Sequence, residues 1–311
     1  MKSILILCCL ILMSGFNVFS ANDTTGFFHA VKLYEKGKIQ EAKNEFEKIA
    51  DRNSKYAPVY YYLGLIAGKT YDFDNAESYY KKSLKYDSIN SNVYCELSTI
   101  KYYTQKNAEA RKYIEKAIKL DPKNARAYIQ YASLLNIAGE TEKAKNQLNK
   151  AARIDSTEVL NEANRLLKTE KKPQSALFYF NILNELNPKN IQSYFYAGFA
   201  YKVSGDIKSA DKSFKTALSN CNRSNPLFDT IYITYFNLLM STGKYEDINF
   251  TSFDHCGEDY APAWYFNALA NYQLKNRVAY LKGGNKYFEL TSKPYPASLE
   301  GWLKQELAKE R

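Results

Sequence analysis

Six alanines, Ala42, Ala76, Ala110, Ala144, Ala176 and Ala210, recur at spacings of 34, 34, 34, 32 and 34 residues, each inside a similar apolar frame. A 34-residue self-similarity means a stack of helical hairpins, because one hairpin cannot bury its own apolar faces and must share a neighbour's. Twelve residues before the alanines stand Ala30, Gly64, Ser98, Ala132, Asn164 and Gly198; only Asn164 is not small. Four residues after them come Phe46, Tyr80, Ile114, Leu148, Phe180 and Phe214. The i to i+4 step keeps alanine and large residue on one helical face. Facing small residues let two helices approach closely, and a bulky group there would overpack the crossing.

Turn chemistry falls into the same register. Gly37, Gly139, Gly205 and Gly243 sit where the first helix of a hairpin ends and a left-handed cap favours glycine. Leu120-Asp121-Pro122 and Leu186-Asn187-Pro188 separate one hairpin from the next, since proline cannot continue an incoming helix but suits the first turn of an outgoing one. From about Thr24 to Thr291 the whole frame resembles the tetratricopeptide repeat. The resemblance implies an all-α, right-handed α-solenoid of helix-turn-helix units. An array is expected over residues 21–294, with six clear repeats across 23–224 and two degenerate ones across 229–294. In the seventh, Phe236 and Ile248 replace the small residue and the alanine; in the eighth, Gly283-Gly284 is expected to weaken the second helix. Leu299, Trp302, Leu303 and Leu307 line one face of an expected C-terminal capping helix in 295–311.

Residues 1–20 read as a signal peptide. Met1-Lys2-Ser3 gives a short basic start, Ile4 to Met13 an apolar run too short to anchor in a bilayer, and Val18-Phe19-Ser20 a cleavage site. A periplasmic or secreted protein of a low-GC bacterium is expected, with no membrane insertion after cleavage. The formal charge of +10 comes from lysines scattered through nearly every repeat and interleaved with glutamates. They read as solvated helix faces, and with export they argue against a nucleic-acid partner.

Candidates for chemistry are few. His29 falls in the apolar frame of the first repeat and is assigned to packing. Asp254-His255-Cys256-Gly257-Glu258-Asp259 holds five side chains of metal-ligating type, but adjacent residues rarely converge on one ion, so neither metal nor cofactor is expected. Cys221 and Cys256 stand 35 residues apart, about one repeat, which makes them candidates for a disulfide; two free thiols are the alternative. Without a supported acid, base or nucleophile, the chain reads as a non-catalytic scaffold.

The tetratricopeptide resemblance also implies a concave face lined by the first helices. On it fall Phe27, Val31, Tyr34, Tyr61, Leu65, Tyr102, Tyr103 and Arg126, then Arg165, Lys168, Phe195 and Phe199. This apolar, basic, apolar order suits a protein or peptide partner with hydrophobic anchors around an acidic segment. The alternative is a glycan or peptidoglycan ligand stacked on the aromatics.

Overall fold

A computed structural model describes residues 21–292; the expected signal peptide and capping helix lie outside them. The described residues contain sixteen α-helices and no strand. The chain divides into two compact units, Met1–Gln147 and Leu148–Arg311. The first holds α1 (Ala21–Glu35), α2 (Ile39–Arg52), α3 (Ala57–Lys69), α4 (Phe73–Tyr86), α5 (Ser91–Tyr103), α6 (Asn107–Leu120) and α7 (Ala125–Ile137). The boundary falls inside α8 (Thr141–Ile154). The second holds α9 (Ser156–Lys168), α10 (Pro173–Leu186), α11 (Ile191–Val203), α12 (Ile207–Ser219), α13 (Phe228–Ser241), α14 (Tyr245–Thr251), α15 (Ala261–Gln273) and α16 (Arg277–Thr291). Sequential pairing into hairpins makes the architecture an α-solenoid. No helix among the described residues is long and apolar enough to cross a membrane.

Local chemistry sets the helix ends. Asn90, Asn124 and Asn190 accept from the backbone N–H three residues on and start α5, α7 and α11. Asp72 and Asp206 do the same for α4 and α12. These side chains satisfy one of the amide donors that every helix start leaves open. The four hairpin glycines adopt the expected left-handed backbone, with φ between 74° and 81°.

All six period alanines are fully buried, and the residues four later are buried with them. In two hairpins the large partner fills the space that a glycine leaves. A Cβ added to Gly64 would lie 2.4 Å from the Tyr80 ring, and one on Gly198 would lie 2.6 Å from the Phe214 ring. Where the small residue is Ser98, the partner shrinks to Ile114, and the Ser98 hydroxyl donates to Ala110 O at 2.9 Å. In α9, Asn164 brings polarity to this crossing, and its Oδ1 is buried without a hydrogen-bond partner. Such an acceptor loses hydration and recovers nothing. Asn164→Ala should therefore stabilise the protein by about 1 kcal/mol, read as a higher urea midpoint at unchanged m-value.

The two degenerate hairpins conserve volume by exchanging it between helices. In the seventh, Phe236 occupies the usual small site of α13, while the position four beyond Ile248 is Ser252; all three are fully buried. In the eighth, fully buried Tyr280 stands in the alanine site and the glycines stand where a large residue is usual. The expected weakening by Gly283-Gly284 does not occur, because α16 runs unbroken through them. A Cβ on Gly283 would meet Ala268 Cβ at 3.1 Å and Ala268 N at 3.2 Å, so the glycine is what lets α15 and α16 cross.

Candidate binding faces on the first helices

In the first unit, first-helix side chains meet across successive hairpins. Tyr62, which the sequence reading passed over, is the hub of the N-terminal cluster. Its ring stacks on Phe46 at 5.0 Å and meets Phe27, Tyr34 and Tyr61 edge-on, each at 5.6 Å. Lys69 Nζ sits 4.0 Å from the Tyr34 ring centroid, a cation–π contact that holds the ring from above. Phe27, Val31, Tyr34, Tyr61 and Leu65 are all half-buried, so they are braced by the fold and still show an open edge. Tyr102 is also half-buried, whereas Tyr103 is exposed and stacks on Phe73 at the start of α4.

Arg126 closes this strip, and its charge is spent within the fold. Its Nη2 donates to Glu96 on α5 at 2.5 Å. Burial opposes the Arg126 charge, but Glu96 and Tyr61 beside it outweigh that and hold the guanidinium protonated. Burial, followed by the charge of Glu96, pushes the Tyr61 hydroxyl up to about 12. Four residues along α7, the Gln130 amide nitrogen donates to Thr99 Oγ1 at 3.4 Å.

In the second unit, Arg165 is likewise neutralised. Nε and Nη2 each donate to Glu162 at 2.7 Å, and Nη1 bonds Glu170, which also accepts from Lys172. These pairs, the Glu162 hydrogen bonds first, raise the Arg165 pKa. Lys168 Nζ rests 4.2 Å from the Tyr196 ring centroid. Phe195 is only 4% exposed and packs on Phe199 and Phe214. It is a core residue, not a displayed one, while Phe199 keeps an open edge. The basic middle expected from Arg126 and Arg165 is thus largely cancelled by glutamates on the same or the adjacent helix.

The structure changes the reading of His29 and decides between the two alternatives left open for the cysteines. His29 is exposed on α1 and takes no part in the core. Cys221 and Cys256 are buried as free thiols. Each thiol turns to a local carbonyl, Cys256 to Ser252 O at 3.1 Å and Cys221 to Asn222 O at 3.8 Å. In place of the clamp a disulfide would have given, Arg223 Nη1 donates to Cys256 O at 3.0 Å and to both Asp259 oxygens at 2.7 Å. The potential metal ligands of the Asp254–Asp259 segment do not converge, and no group of three or more His, Cys, Asp or Glu able to hold an ion occurs among the described residues.

Models of the tetratricopeptide repeat match residues 57–90 and 91–124, each of which is one hairpin, and 113–146, which runs from within α6 through α7 into α8. Residues 57–146 thus match tetratricopeptide repeats. Comparison with curated protein sequences finds no match. Among solved structures, the repeats are similar to a crystal structure of MamA, at 20% identity over 61% of this chain and 93% of that one, with a TM-score of 0.38. They are also similar to YrrB, described as a TPR protein with an unusual peptide-binding site (18% identity, 59% and 94% covered, TM-score 0.36). A third similar structure is the yeast Tom70 (17% identity, 71% and 47% covered, TM-score 0.45).

Proposed function

We propose that this protein is a non-catalytic scaffold of the bacterial envelope that holds an extended protein or peptide segment along the first-helix face of its N-terminal unit. The observation that carries the reading is the state of Phe27, Val31, Tyr34, Tyr61 and Leu65, half-buried against one another with open edges. Rings already fixed by their neighbours lose little freedom when a partner covers them, so the apolar area they offer is not offset by ordering. The ionised side chains beside them, Arg126 and Glu96, are committed to each other. They give the site a fixed polar edge. The envelope location rests on the basic start, apolar run and small-residue site within residues 1–20.

A photo-crosslinking amino acid placed at Leu65 in the native host tests the reading. One discrete adduct is expected from this position and none from exposed Lys112 on α6. Tyr61→Ala should reduce the Leu65 adduct at least about tenfold, the loss expected when a well-packed aromatic anchor is removed. Equal labelling from positions 65 and 112 would overturn the groove assignment.

A further inference from the structure

The tips of the hairpins in the first unit carry a second aromatic feature, away from the Tyr62 cluster. Tyr71 meets the Phe73 ring edge-on at 6.0 Å, Phe73 stacks on Tyr103 at 5.6 Å and 12°, and Tyr103 meets Tyr102 at 5.7 Å. Tyr102 then forms one wall of a pocket of about 90 Å³ with Asn107, Arg111, Leu134, Ile137 and Ala138. Tyr71 is 74% exposed and Tyr103 57%, so the ladder displays ring surface that contributes little to any core.

Tyr71 holds its place at a cost. Its φ is 59°, in the left-handed region, where other hairpins of this chain use Gly37, Gly139, Gly205 and Gly243. Left-handed backbone costs an ordinary residue roughly 1–2 kcal/mol. Gln105, Lys171 and Lys275 share the conformation with polar side chains; Tyr71 alone brings a large ring. Strain kept where glycine is the local alternative points to use of the side chain.

We infer that the Tyr71–Phe73–Tyr103–Tyr102 ladder and its end pocket bind a short proline-rich segment of a partner in the polyproline II conformation. Area decides against a folded partner or a second copy. A fully buried aromatic contributes 150–250 Å², so two mostly exposed rings and two partly covered ones offer on the order of 300 Å², against roughly 800 Å² per partner in a standard interface. So small a patch holds a ligand only if the ligand loses little entropy on binding. A polyproline II helix is already ordered, and its carbonyls are unpaired and free to accept from tyrosine hydroxyls and the Asn107 amide. The ring-to-ring steps of 5.6–6.0 Å are those of rings in mutual contact, so the ladder is a continuous aromatic surface. Leu134, Ile137 and Ala138 give the pocket an apolar wall for one aliphatic side chain. The Arg111 charge beside it is paired with Glu140, so a neutral segment meets no uncompensated charge there.

The test is fluorescence anisotropy on the protein lacking residues 1–20, with a labelled (Leu-Pro-Pro)4 peptide as probe and (Leu-Gly-Ser)4 as control. Saturable binding of the proline probe alone is expected, weakened at least about tenfold by Tyr71→Gly and by Tyr103→Ala. Tyr71→Gly should melt at the wild-type temperature or above, because glycine relieves the left-handed strain; a lost signal then cannot be blamed on unfolding. Leu65→Ala should leave the probe's affinity unchanged, which separates this site from the first-helix face. No binding of the proline probe, equal binding of both probes, or indifference to Tyr71→Gly each overturns the inference. So does retention on purified peptidoglycan that Tyr71→Gly abolishes, since the ladder would then be stacking sugar rings.

Discussion

Gly64→Ala should destabilise the first unit by about 1–3 kcal/mol, although alanine is the better helix former by nearly 1 kcal/mol. The new Cβ would lie 2.4, 2.6 and 2.9 Å from Cε1, Cδ1 and Cζ of Tyr80. Those atoms belong to a rigid ring only 2% exposed, so α3 and α4 must separate or the ring must leave its rotamer. The measurement is the urea midpoint at constant m-value. Gly64→Ala combined with Tyr80→Leu should recover most of the loss, because it imitates the Ser98 and Ile114 combination of the next hairpin. Gly68→Ala is the matched control: its Cβ would find only the Tyr80 hydroxyl, at 4.0 Å, and helix propensity should make it neutral or stabilising. A Gly64→Ala protein as stable as wild type would show that close approach of α3 and α4 is not what holds this hairpin.

Lys101→Ala should cost about 1–3 kcal/mol, short of the full penalty for stranding a buried charge because Glu77 keeps its pair with Lys81 and Glu109 is half exposed. Lys101 is 5% exposed, and its Nζ lies 2.9 Å from Glu77 on α4 and 3.3 Å from Glu109 on α6. One cation thus ties α5 to the second helices of two hairpins. Lys101→Met combined with Glu77→Gln should be milder than Lys101→Ala, since the carboxylate that remains, Glu109, is half exposed and can turn to water. The pH dependence follows from the same contacts. Burial works against the Glu77 charge, but hydrogen bonds from Lys81 and Lys101 outweigh it and hold the carboxyl below its ordinary 4.5. Its stabilising contribution is present above pH 4.5 and is lost as pH falls through the lowered value. Burial similarly opposes the Lys101 charge while Glu77 and Glu109 raise its pKa above 10.5. That contribution is complete below pH 10.5 and is lost as pH rises through the raised value. Plotted against pH, the stability difference between wild type and the Lys101→Met, Glu77→Gln protein should therefore narrow at both ends. A difference that stays flat from pH 3 to 7 would remove the network from the stability account.

Some of the molecule was legible because its signals are local. Asn90, Asn124 and Asn190 cap helices through bonds to an amide three residues away, and the hairpin glycines are fixed by their own φ. The candidate site was legible only in outline. Tyr61 and Tyr62 differ by about 100° around α3, yet in the sequence they are adjacent tyrosines, and only packing shows that Tyr62 is the hub. Arg126 and Arg165 read in the sequence as groove charge, but both are paired in the fold. Their partners are of different kinds: Glu162 lies three residues from Arg165, whereas Glu96 is thirty residues from Arg126, on another helix.

The sequence by itself determined the helical-hairpin repeat, since a 34-residue period of small, alanine and large positions can bury its apolar faces only by stacking. It also determined where helices begin and turn, because caps and left-handed corners depend on a few adjacent residues. Only the tertiary structure decided which hairpin fills its crossing from which helix, as Phe236 and Tyr280 do in exchange for Ser252 and the glycines. It alone decided which charges remain available and which rings face outward. Packing density constrains the sum of two facing side chains and not the identity of either, so the same period is satisfied by Gly64 against Tyr80 and by Ser98 against Ile114.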